Sequence, residues 1–231
     1  ASQTPTFKRE TNNGSAVMSI ANSYNRWVNF GFDLLGNILS LSENGLKETN
    51  LSSNGLFEFK QSSSTIGVKG SYFKQILDKN LSGMKGDDFF STEGYVKLFP
   101  TNELNFTVGI NYASNSSNSF FAPFGSIEFK LNKGLILSAE FNPHVKYFTV
   151  TDFIKRNIYF NPGMTDNVFL KYTADINGVL KYEYEKLFAI SLSGGYAKLS
   201  NYFYFDDAVN SGKFDLNILP NVKILSGGFN F

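Results

Sequence analysis

One histidine, His144, stands in a chain of 231 residues that has no cysteine. Triad-type catalysis needs a base beside a nucleophile and a third group that orients it. The sequence places no serine and carboxylate beside His144. It also holds no His/Cys cluster at metal-ligand spacing, no phosphate-cradling glycine loop and no EF-hand spacing. The chain is therefore read as a non-enzyme with no metal and no cofactor. Asp87-Asp88 and Asp206-Asp207 are acidic doublets, too little to build a calcium shell. What remains is a basic and aromatic segment, 143–167, where His144, Lys146, Lys155 and Arg156 lie among Tyr147, Phe148, Phe153, Tyr159 and Phe160. Long loops of this kind carry function, so Lys146, Lys155, Arg156 and Tyr159 are the candidate ligand contacts. Tyr202–Phe205, followed by Asp206 and Asp207, has the chemistry to stack a sugar or hold a cation, although packing at a membrane interface uses the same residues.

The elements that must position these residues are strands. Apolar and polar residues alternate with period two. In 168–184 one face is Val168, Leu170, Tyr172, Ala174, Ile176, Gly178, Leu180, Tyr182 and Tyr184, and the other is Phe169, Lys171, Thr173, Asp175, Asn177, Val179, Lys181 and Glu183. Globular strands average about five or six residues, whereas a tilted membrane strand needs about 9–11. The same reading gives strands near 14–22, 26–35, 38–46, 51–61, 65–75, 90–98, 103–111, 122–131, 135–142, 188–199, 212–219 and 223–231. Short connections are read at Gly36-Asn37, Ser62–Ser64, Pro100–Asn102, Asn132–Gly134, Glu185-Lys186 and Pro220-Asn221, with the turn chemistry of hairpins. Long ones are read at 76–89, 114–121, 143–167 and 200–211.

Short turns on one rim and long loops on the other are the layout of a transmembrane β-barrel, with the short turns periplasmic. The expected fold is all-β: an antiparallel barrel of about twelve strands (ten to fourteen) over 14–231, after an N-terminal extension 1–13. No apolar run is long enough for a membrane helix. Aromatic content of 16%, with 25 Phe and 12 Tyr, suits girdles at the two interfaces. The polar face would line the lumen. Its expected pore-lining residues are Asn105, Thr107, Asn111, Glu128, Lys130, Glu140, Lys171, Asp175, Lys181, Glu183, Lys213 and Asp215. Together with Glu58, Lys60, Lys69, Glu93 and Lys97, the charges on this face balance. Balance implies either a weakly selective channel or an interior closed by ion pairs. A net charge of +1 argues against a nucleic-acid partner.

The stretch Lys223–Phe231 puts Leu225, Phe229 and Phe231 on one face and stops on an aromatic. It resembles the C-terminal sorting strand of Gram-negative outer-membrane β-barrels, with Ser226 where a glycine is usual. The resemblance implies outer-membrane location, Phe229 and Phe231 as the sorting signal, and lipid and the barrel-assembly machinery as partners. The stretches Phe153–Pro162, Tyr172–Gly178 and Tyr202–Phe205 loosely resemble late barrel strands of TonB-dependent receptors. Such a receptor would have about twenty-two strands, a plug and an energy-coupling box. The favoured expectation is a passive, porin-like channel for small polar solutes. The alternatives are a non-conducting scaffold subunit of a larger envelope complex, or a barrel fragment of such a receptor. Thirteen strands leave a parity conflict, because they would end Phe231 on the long-loop rim. A miscounted strand, an external Pro220 turn or membership in a larger barrel would each resolve it.

Overall fold

The computed structural model describes residues 11–22, 27–41, 46–78, 86–131, 134–162, 167–184, 187–207 and 212–231. The expected turns at Asn132-Lys133 and Glu185-Lys186, and residues 1–10 of the expected extension, lie outside them. The strands are β1 (Thr11–Asn22), β2 (Val28–Leu41), β3 (Lys47–Lys60), β4 (Ser64–Leu77), β5 (Asp88–Leu98), β6 (Leu104–Asn115), β7 (Ser119–Leu131), β8 (Leu135–Phe141), β9 (His144–Phe148), β10 (Val168–Tyr184), β11 (Phe188–Ser200), β12 (Tyr202–Asp206), β13 (Asp215–Leu219) and β14 (Val222–Asn230). One short helix, α1 (Val150–Arg156), lies between β9 and β10.

A single antiparallel sheet runs β1-β2-β3-β4-β5-β6-β7-β8-β10-β11-β14, and β9 also pairs with β10. Phe141 of β8 lies opposite Ile176, and His144 of β9 opposite Tyr172. Pro143, which has no N–H for the ladder, separates the two, and the β10–β11 register shifts between Tyr172 and Ala174. Past Pro143 the chain leaves the line of β8, and β9 stays paired with β10 alone, off the main path of the sheet and across from a β-bulge. The wall has eleven strand positions.

Three expectations are corrected. Gly36 and Asn37 do not turn: they sit in mid-strand, opposite Ala16 and Ser15 of β1 and opposite Leu51 and Asn50 of β3. Pairing on both sides overrides the local turn preference of a Gly-Asn dipeptide. The segment 114–121 is not a long loop, because β6 and β7 run to within three residues of each other and Asn115 closes the turn through bonds from the Ser117 and Asn118 amides. The segment 212–219 is not a wall strand. Its β13 pairs only with β12, in a separate two-stranded sheet, so Lys213 and Asp215 lie outside the wall. The hairpin β12–β13 belongs to the excursion between β11 and β14. The Pro220 turn is therefore at the long-loop end, β14 runs toward the short turns, and Phe231 finishes there. The parity conflict disappears.

The two faces of the sheet differ as period two requires. Met18, Phe57, Ile66, Val68, Val108, Ile110, Phe121, Leu137, Ile176, Leu192 and Leu225 stand exposed on the convex side. Ile66, Val96 and Val108 are cross-strand neighbours, so the apolar surface is continuous. In water so large an apolar patch is a liability, but in hydrocarbon it is the required exterior. Rings gather at the short-turn end, where Phe188 stacks 5.6 Å from Tyr184 and 6.3 Å from Phe231.

On the concave side charges pair with each other: Lys69–Glu93 at 3.0 Å, Lys97–Glu58 at 3.3 Å, Lys130–Glu128 at 3.3 Å and Lys181–Glu183 at 3.1 Å. Tyr95 reaches across β4 to donate its hydroxyl to Glu58 at 2.6 Å, and its ring lies over Gly67. A side chain at Gly67 would occupy the place of that ring. Gly67→Val is expected to displace Tyr95 and lower stability by about 1–3 kcal/mol. Gly94→Val, facing open space, is the neutral control. The urea midpoint in detergent micelles checks both.

Candidate functional site at the long-loop end

The segment after Pro143 folds into the concavity. Asn111 Nδ2 on β6 holds the bend by donating to the Pro143 carbonyl at 2.7 Å and to Asn142 Oδ1 at 3.0 Å. Beyond β9 the chain enters α1, whose Asp152 accepts the Thr149 amide at 2.9 Å. Asp152 in the first turn and Lys155 and Arg156 in the last suit the helix dipole. Phe153 is fully buried and is the centre of an aromatic cluster, with ring centroids 5.1 Å from Phe203, 5.4 Å from Phe160, 6.4 Å from Phe148 and 6.4 Å from Phe205. The same core takes in Leu39 and Leu41 of β2, Val168 and Leu170 of β10 and Leu199 of β11. It therefore spans from β10 and β11 across the concavity to β2.

A polar clamp completes that bridge. Glu48 of β3 is wholly buried. One carboxylate oxygen accepts the Thr151 amide at 2.8 Å and the Thr151 hydroxyl at 2.7 Å, and the other accepts Gln75 Nε2 at 2.7 Å. Asn50 Nδ2 donates to Thr151 Oγ1 at 3.3 Å, and Gln75 exchanges two bonds with Asn167. The helix is tied to the wall by side chains about a hundred residues away in sequence.

A second cluster lies beside the first. Phe89, Ala113 and Phe169 are buried with Phe73, Phe120, Val145 and Tyr147 against them, and Phe89 stacks on Tyr147 at 4.9 Å. Asp87 accepts the Tyr147 hydroxyl at 2.7 Å, Asn115 Nδ2 at 2.8 Å, the Asp88 amide at 2.9 Å and the Ser116 amide at 3.3 Å. The acidic doublet at 87–88 is thus an acceptor of protein hydrogen bonds. Burial pushes the Asp87 carboxyl up, but the bonds from Tyr147, Ser116 and Asn115 outweigh it and leave the group below the usual carboxylate range. A depressed carboxyl stabilises the fold above its unfolded value and loses that contribution as pH falls through its folded value. The rim around Asp87 is therefore expected to stay closed at pH 5 and to loosen only below about pH 4. Asp87→Asn is expected to flatten that dependence, as followed by tyrosine fluorescence against pH.

The pore-lining expectation divides. Asn105, Thr107, Asn111, Glu128, Lys130, Glu140, Lys171, Asp175, Lys181 and Glu183 lie on wall strands β6, β7, β8 and β10, whereas Lys213 and Asp215 do not. Asn105 donates to Glu128 at 3.1 Å, and Asp215 instead accepts Asn161 Nδ2 at 3.1 Å. Of the ligand candidates, Lys155 and Arg156 are exposed in the last turn of α1 and Tyr159 is exposed three residues beyond it, with Arg156 over the Phe148 ring at 4.7 Å. Lys146 lies apart, over the Tyr172 ring at 4.7 Å. His144 stacks on Tyr172 at 4.3 Å, its Nδ1 is 3.7 Å from Asp175, and no serine pairs with it among the described contacts. A cavity of about 200 Å³ remains between β9 and the wall, lined by Lys69, Ser71, Ser91, Glu93, Asn111, Phe120 and His144. Tyr202, Phe203 and Phe205 are partly buried against the Phe153 cluster, whereas Tyr204 stands exposed.

No protein-family model and no characterised protein sequence matches the chain. Solved structures do. The siderophore receptor PirA from Pseudomonas aeruginosa superposes with a TM-score of 0.74 at 9% identity, over 96% of this chain and 44% of that one. A variant of the ferric enterobactin receptor PfeA from the same organism, in complex with enterobactin, gives 0.68 at 10%, over 96% and 41%. The iron transporter FrpB from Neisseria meningitidis gives 0.67 at 12%, over 96% and 41%.

This is an outer-membrane β-barrel fold.

The chain spans less than half the length of these receptors. Its wall is thus similar to part of a large receptor barrel, and the convex apolar face and the concave charged face have the positions that such a barrel requires.

Proposed function

We propose that this chain forms part of an outer-membrane receptor barrel that takes up an iron chelate, rather than a passive channel for small polar solutes. One observation carries the reading: the concavity at the long-loop end is filled by β9, α1 and the β12–β13 hairpin around Phe153. A passive pore requires an open lumen. A receptor requires a closed one with a ligand surface on the outside. The short turns then face the periplasm, the convex face meets outer-membrane lipid, and Phe229 and Phe231 present the assembly signal at the periplasmic end. Lys155, Arg156 and Tyr159 form the ligand surface, since exposed cations beside an aromatic ring suit an anionic, aromatic iron chelate. PirA, PfeA and FrpB, siderophore or iron proteins by description, support the ligand class.

The test is calorimetric titration of the chain in detergent micelles with ferric enterobactin, alongside conductance in planar bilayers. Binding without steady conductance, weakened about tenfold in a Lys155→Glu, Arg156→Glu double variant, is the expected result. Steady conductance without binding would restore the channel. Neither would leave the scaffold reading.

A further inference from the structure

The cavity beneath β9 is built on two adjacent rows of the sheet. Ser71, Ser91, Ala113 and Phe120 are cross-strand neighbours on β4 to β7, and Lys69, Glu93 and Asn111 form the next row on the short-turn side. Phe73 and Phe89 stand two residues from Ser71 and Ser91 toward the long loops, so the second aromatic cluster caps the cavity there. His144 and Val145 of β9 close one side. The polar groups in it are only partly used. Lys69 Nζ meets one Glu93 oxygen at 3.0 Å, which leaves the second oxygen and two ammonium protons for other partners. Among the described residues the hydroxyls of Ser71 and Ser91 have no hydrogen-bond partner.

We infer that this cavity binds a monosaccharide in its pyranose form. Size sets the upper bound. At about 200 Å³ the space is smaller than the pockets of about 300 Å³ and more that take drug-sized ligands. One small ring fits, and an iron chelate does not. Charge narrows the class. One cation and one anion face the space, so an ionic solute gains no net attraction. An amino acid would have to divide the Lys69–Glu93 pair to claim both charges. A sugar extends the pair instead: one hydroxyl donates to Glu93 and its vicinal neighbour accepts from Lys69. Hydrogen bonds to charged groups are the strong ones. Ser71 and Ser91, which each donate and accept, take further hydroxyls. The carbon-bound hydrogens on one face of a pyranose need an apolar partner. The Phe120 ring, partly buried beside Ala113, supplies it, and its negative face attracts weakly positive C–H groups. An open-chain polyol carries the same hydroxyls without such a face. The inference is independent of the iron-chelate reading, because the two sites share no residue.

Saturation-transfer NMR tests this on the whole chain in phosphocholine micelles, which carry no sugar headgroup. The probes are D-glucose, D-mannitol and L-alanine. Transfer to D-glucose is expected at about millimolar concentration, strongest at the ring hydrogens that share one face of the β-anomer. D-mannitol and L-alanine are expected to show none. The Ser71→Ala, Ser91→Ala double variant keeps the apolar walls and loses two hydrogen bonds, so glucose should bind about tenfold more weakly. Phe120→Leu keeps most of the apolar bulk without the flat ring and should weaken binding by a similar factor. Slow amide exchange in β4–β6 is the control for a folded sheet. A folded wild-type chain with no transfer to glucose would overturn the inference. So would equal transfer to D-mannitol, or glucose transfer that is unchanged in the folded variants. Transfer to L-alanine in place of glucose would overturn it in favour of a zwitterion site. Ferric enterobactin titrated into the same samples keeps the two readings apart. Chelate binding that survives in both variants while glucose transfer falls is the expected pattern. Glucose transfer without chelate binding would support the sugar site and remove the iron-chelate reading alone.

Discussion

Glu48→Ala is expected to unseat α1 from the wall and to raise tryptic cleavage at Lys155 and Arg156 in the otherwise folded protein by about a hundredfold. Three donors converge on the Glu48 carboxylate: the Thr151 amide, the Thr151 hydroxyl and Gln75 Nε2. Hydrogen bonds to a charged acceptor are the strong ones, and each donor stranded in a buried place costs about 1–3 kcal/mol. A total of about 3 kcal/mol in local opening corresponds to about a hundredfold in the open population. Glu48→Gln keeps the shape and one acceptor but turns a donor toward Thr151 or Gln75, so a smaller rise of about tenfold is expected. Equal cleavage of wild type and Glu48→Ala would mean that apolar packing alone seats the helix.

The wall was more legible in the sequence than its contents. The alternation in 168–184 gives the bounds of β10 but not a single outward face, because the register shift between Tyr172 and Ala174 puts Val168 and Leu170 in the interior core while Ile176 and Leu180 stand exposed. Gly36-Asn37 misled because turn preference is local, while this dipeptide is held by pairing with β1 and β3 on either side; 114–121 misled because its polar run hides how far β6 and β7 pair, up to Ser114 opposite Ser119. The in-folded segment had one readable signal. Thr149, followed three residues later by Asp152 and then Phe153-Ile154, is a helix-start pattern, yet its seven residues are lost among loop-like neighbours. Glu48 was illegible as a clamp. In the sequence it falls between the strands read at 38–46 and 51–61, and only contacts with Thr151, 103 residues away, mark it out. Asp87 was illegible for the same reason, since Tyr147 is 60 residues distant. The strand count failed at β12–β13, where an alternating stretch is apolar because it packs on Phe153 rather than because it faces lipid.

That last distinction sets up the second large effect. Phe153→Ala removes the ring on which Phe160, Phe203 and Phe205 converge. Truncating a fully buried phenylalanine costs about 3–5 kcal/mol. The loss falls on both partners at once, because the segment after α1 is also zipped to the hairpin: the Asn161 amide donates to the Phe214 carbonyl at 2.8 Å and the Phe214 amide to the Tyr159 carbonyl at 3.0 Å. Phe153→Ala is therefore expected to expose Lys213 to trypsin together with Lys155 and Arg156, whereas Glu48→Ala exposes the helix sites first. The double variant decides whether helix and hairpin form one cooperative plug. If they do, an α1 already unseated by Glu48→Ala has little left to lose, and the double variant falls short of the sum of the singles, by a coupling of about 0.5–3 kcal/mol. Simple additivity would mean that clamp and aromatic cluster hold separate pieces, and that the filled end of the barrel can open one half at a time.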